Sequence, residues 1–102
     1  MLVEMFYLQV WMEVQLEIEP SGAISFSLID GDDVTKVTCH HCRITPLRRD
    51  NMPENLRPQL RANENYDLLF IIDSFDGGSY PLRFDSNISL SEFLRAAETY
   101  RM

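Results

Sequence analysis

VTKVTCHHCRI, residues 34–44, can be read in two ways that lead to different proteins. As a tight reversal it gathers Cys39, His40, His41 and Cys42 into half of a metal site or a redox pair. As a strand it sends alternate side chains to opposite faces of a sheet. The flanking Val and Thr residues, β-branched and stiff at the first side-chain torsion, favour the strand. On that reading Cys39 and His41 share one face, His40 and Cys42 share the other, and the two thiols lie about 10 Å apart.

Structural zinc takes four ligands, normally from two such knuckles, and the chain holds only these two cysteines and two histidines. Zinc bound through Cys39, His41 and Cys42 is therefore the alternative, and it needs ligands from a second copy or carboxylates such as Asp30, Asp32 and Asp33. A redox pair wants its first cysteine at a helix N-terminus, whereas Arg-Ile-Thr-Pro follows Cys42. The expectation is that Cys39 packs as a small apolar residue beside Val37, one histidine meets solvent, the other is hydrogen-bonded and no cofactor is bound.

Working outward, the clearest pattern is LQVWMEVQLEI, residues 8–18. Leu8, Val10, Met12, Val14, Leu16 and Ile18 alternate with Gln9, Glu13, Gln15 and Glu17, the period of a half-buried strand. Upstream, MLVEMFY carries apolar residues on both faces. One strand from 2 to 18 would run roughly 55 Å, too long for a domain of 102 residues, so it must bend, break or bulge. Its first part is then covered on both sides or pairs with another chain. EPSG (19–22) and GDD (31–33) read as turns around the strand AISFSLI. YDLLFIID (66–73) reads as a central strand. FDGG (75–78), with Asp76 capping amides, is a hairpin turn, and SYPLRF returns as a strand that Pro81 pushes to an edge or bulge.

Between these lies 45–65, a long connection expected to be mobile or to meet a partner, where Asn51 and Glu54 resemble a capping box. Ser89 and Glu92 form another, opening a helix with Leu90, Phe93, Leu94, Ala97 and Tyr100 on one stripe. The expected fold is α+β: one domain over 1–102, a mainly antiparallel sheet of about five strands, and a C-terminal helix packed on one face.

Net charge is −7, distributed as −7 over residues 1–33, +4 over 34–62 and −4 over 63–102. That balance opposes non-specific nucleic-acid binding and suits a basic protein partner. The basic middle carries Arg43, Arg48, Arg49, Arg57 and Arg61, but no aromatic residue for stacking. No apolar run approaches the roughly 18 residues that span a bilayer, and no secretory signal opens the chain, so a cytoplasmic location is expected. No nucleophile elbow or phosphate cradle is present. Asp73, after a buried strand, is the acid with most claim on a site, although a strand reaching water explains it as well. The reading is therefore non-enzymatic.

The leading functional expectation is a small acidic protein-binding domain that occludes its partner, as an inhibitor or adaptor. Immunity proteins and phage anti-defence proteins resemble it in general character only, and no motif assigns a family. Glu13, Glu17 and Glu19 are the expected contacts, with Trp11 and Tyr7 as aromatic anchors and Arg48 and Arg49 as cationic ones. Trp11 equally suits a second core layer. The alternatives are a metal- or nucleic-acid-binding regulator using 39–61, and an oligomer subunit whose N-terminal strand completes a shared sheet.

Overall fold

The computed structural model describes residues 1–75 and 77–101, apart from the side chains of Ile29, Asp30, Thr99, Tyr100 and Arg101. The expected roles of Asp76 and of the Asp30 and Tyr100 side chains lie outside the described residues. The elements are β1 (Leu2–Tyr7), β2 (Val10–Ile18), β3 (Ile24–Asp30), β4 (Asp33–Cys39), β5 (Cys42–Pro46), β6 (Leu69–Ser74), β7 (Ser79–Arg83) and α1 (Asn87–Arg101). All pairings are antiparallel, in the order β4-β3-β2-β1-β7-β6-β5. The α+β class and the packed C-terminal helix hold. Seven strands replace the expected five.

One extra strand comes from the break expected within 2–18, the other from a bend in 34–44, which was read as one strand. The first break is at Leu8 and Gln9, both left-handed at φ 52° and 66°, which folds 2–18 into a two-residue hairpin with Tyr7 opposite Val10. The second is a bend at His40 and His41. β4 and β5 are the two ends of the sheet, yet these two residues alone join them. Seven flat strands would separate their outermost members by about 29 Å, whereas three peptide steps reach about 11 Å. The sheet therefore curls until its edges meet, and Phe26 of β3 touches Tyr80 of β7 at 5.7 Å between ring centroids. Residues 34–39 and 42–44 are extended, as read, but the bend between them carries the chain from one edge of the sheet to the other.

The bend also resets the alternation. Cys39 and Cys42 both point into the core, and His40 and His41 are both exposed. The expectation that the thiols face opposite ways is thus corrected.

Two apolar layers result. Inside the curl, Val3, Met5, Val14, Leu16, Ile24, Phe26, Ile72 and Leu82 pack with both cysteines against Leu90 and Phe93 of α1. Outside it, Phe6, Leu69 and Ile71 are covered by Leu47, Met52 and Leu56 from the 45–65 connection. That connection is a roof: Leu47 and Leu56 are fully buried. Its helical turn (Glu54–Gln59) has Pro53 at the N-cap position and no side-chain cap. Asn51 instead accepts from the Arg48 amide at 2.7 Å and donates to the Pro46 carbonyl at 2.9 Å. The two layers explain why MLVEMFY is apolar on both faces: β1 is the middle strand of the sheet.

Three smaller expectations change. Tyr66–Leu68 is a helical turn, and β6 begins at Leu69. The helix starts at Asn87, two residues before Ser89, and Ser86 Oγ accepts from the Ser89 amide at 3.2 Å. β7 is internal despite Pro81, but its ladder with β1 holds only Glu4 opposite Arg83 and Met5 opposite Leu82. Strand alternation turns the residue-81 amide toward β1, and proline has none to give. Pro81 therefore ends that ladder.

Candidate functional site

β2 is amphipathic, so its polar row lies on the outer face of the curl. Trp11, Glu13, Gln15 and Glu17 share that face with Ser25 and Ser27 of β3 and Lys36 and Thr38 of β4, as the register requires. The roof ends at Trp11, whose indole donates to the Gln59 carbonyl at 3.2 Å. Beyond it, Glu13, Glu17 and Lys36 are exposed. No apolar cluster of the described residues lies on this part of the sheet.

The predicted contacts divide accordingly. Glu13 and Glu17 project from the bare face. Glu19 is held within the chain, accepting from Ser25 Oγ at 2.7 Å and pairing with Lys36 Nζ at 3.2 Å. The Ser25 hydroxyl first, then Lys36, hold its carboxyl below the ordinary glutamate range. A lowered folded pKa contributes stability above the unfolded value and loses it as pH falls through the folded one. Glu19→Gln is therefore expected to narrow the drop in thermal midpoint between neutral pH and about pH 3. An unchanged drop would show that the two contacts exert no net pull on the carboxyl.

Trp11 belongs to the second layer. It stacks edge-on to Phe6 at 5.6 Å and under the Arg83 guanidinium at 4.1 Å. Tyr7 points inward against the core, partly buried. Arg48 donates to the Leu47 and Tyr66 carbonyls at 3.0 and 3.2 Å, which ties the roof together, and Arg49 is exposed beside it.

Sequence reasoning missed the charged cluster beneath this roof. The Arg83 side chain, 7% exposed, pairs with the Glu64 side chain, 5% exposed, and with Glu4 at 3.3 Å. Arg61 reaches Glu4 at 3.8 Å. The one available signal was Arg83 in the outward row of an apolar strand, which needs a countercharge when that face is covered.

The thiol–imidazole segment lines a groove of about 1210 Å³ where the sheet edges meet, with Arg43, Asp73, Phe75 and the α1 residues Leu94, Ala97 and Glu98. Asp73 accepts from Ser79 Oγ at 2.7 Å and lies opposite Arg43. Its carboxylate sits where β6 reaches solvent. Among the described residues no group of three or more His, Cys, Asp or Glu is placed to hold a metal ion, and no helix is long and apolar enough to cross a membrane.

No protein-family model, curated protein or solved structure matches the chain.

Proposed function

We propose that the chain is a protein-binding domain, an inhibitor or adaptor, that occludes a basic partner with the outer face of β2–β4. The observation that carries this reading is the asymmetry of one sheet face. The chain roofs the β1–β7–β6 half with its own residues 45–65; over the other half no second apolar layer of the described residues lies, and Glu13 and Glu17 are exposed on it. A sheet braced from behind by a packed core holds such carboxylates at fixed spacing, and long-range attraction then speeds encounter with a positive surface.

The test is capture from the source cells with the wild-type chain and with Glu13→Lys/Glu17→Lys. Glu19 is spared, since reversing it breaks its contacts with Ser25 and Lys36. The partner is expected to be retained by the wild type, released by added salt, and lost from the double variant at unchanged unfolding temperature. Equal capture by both proteins would reject this face.

A further inference from the structure

We infer that the β1–β2 hairpin tip is a binding anchor: Leu8 inserts into an apolar pocket on a protein partner whose rim is basic. The partner class rests on the reading above; the anchor rests on separate observations. Leu8 and Gln9 are both left-handed, a conformation that a two-residue hairpin obtains without strain from Asn-Gly. Where the chain only needs to turn, between β3 and β4, it places Gly31 at φ 63°. At 8–9 it accepts strain twice and uses it to hold a leucine outward, 76% exposed, with Val10 behind it at 49%. Strain and exposed apolar surface both oppose the isolated fold, and at 76% exposure Leu8 buries little surface to offset them.

The neighbouring strand is also held off. Because Pro81 ends the β1–β7 ladder, a cleft of about 370 Å³ opens beside the tip, between Phe6, Tyr7, Pro53 and Tyr80. None of the residues lining it is charged, on a chain of net charge −7. Three residues along β2 from Val10, about 10 Å, stands the exposed Glu13. An uncharged protrusion with one exposed carboxylate behind it, on a chain of net charge −7, fits an apolar pocket with a positive rim. The net charge opposes self-association and adsorption to an anionic membrane.

The full chain carrying photo-leucine at position 8 tests this, with photo-leucine at the similarly exposed Ile88 as the control. After irradiation in source-cell lysate, position 8 is expected to give one protein adduct, attached within an apolar pocket, that excess wild-type chain suppresses and position 88 does not give. The adduct protein, once purified, is expected to bind Leu8→Asn/Gln9→Gly at least tenfold more weakly than wild type, although that variant is expected to be the more stable fold. No adduct, equal adducts at both positions, an adduct to a second copy or to phosphatidylcholine vesicles, or undiminished affinity would each overturn the anchor. Adding Glu13→Lys/Glu17→Lys to the photo-leucine chain separates the two readings. An adduct that persists leaves the anchor standing and removes the acidic face; capture that these reversals abolish, with no adduct at position 8, does the opposite.

Discussion

Arg83→Met is expected to destabilise the fold by about 3–5 kcal/mol in urea unfolding. The size follows from what is left behind. Glu64 keeps its buried carboxylate and loses the guanidinium, retaining the Arg61 amide at 3.3 Å. Trp11 loses the cation above its ring. Arg83 is not itself an ideal guest, since its Nε has no hydrogen-bond partner, and desolvation of a buried pair can exceed its attraction. Arg83→Met/Glu64→Leu is therefore expected to recover most of the loss, because it removes both charges and adds apolar surface under the roof. A single-variant loss under about 1 kcal/mol would mean that water reaches the cluster and screens it.

Leu8→Asn/Gln9→Gly is expected to change stability in the other direction. A non-glycine residue held left-handed costs of order 1–3 kcal/mol, and Asn-Gly is the pair for which that geometry is easiest. A gain of about 2 kcal/mol is expected, or roughly 8–16 °C in thermal midpoint at this chain length. Nothing is lost in exchange within the fold, because Leu8 is solvent-exposed. An unchanged midpoint would show that the hairpin carries no strain.

These two sites lie where the sequence was least legible. Alternation in 10–18 and 24–28 fixed two strands and their buried faces correctly, since a one-residue slip would have exposed Val14, Leu16 and Phe26. Phe93 and Ala97 marked the buried stripe of α1. FDGG was legible as a turn from its Asp-Gly and Gly-Gly pairs, and Gly77 takes φ 105° there. That 2–18 had to break was legible from its length, but its position at Leu-Gln was not, since that is no turn pair; the bend at His-His, equally unpunctuated, follows from closure of the sheet. The roof was missed because its apolar residues, Leu47, Met52, Leu56 and Leu60, are irregularly spaced among prolines and arginines and follow no period. Glu13 and Glu17 were legible as an exposed row. The withdrawal of Glu19 and Trp11 from it was not, since both depend on partners distant in sequence or across strands.

The two-pair seam between β1 and β7 has a consequence for how the molecule assembles. It divides the sheet into a meander of four strands ending at Cys39 and a trio of strands beginning at Cys42. The first four are zipped entirely by hairpins between chain neighbours, which is the fast kind of pairing. Joining the two halves requires residues 4–5 to find 82–83, the longest search in the sheet. That join should be the last step gained on refolding and the first released, so amide exchange across it should outpace exchange within either half.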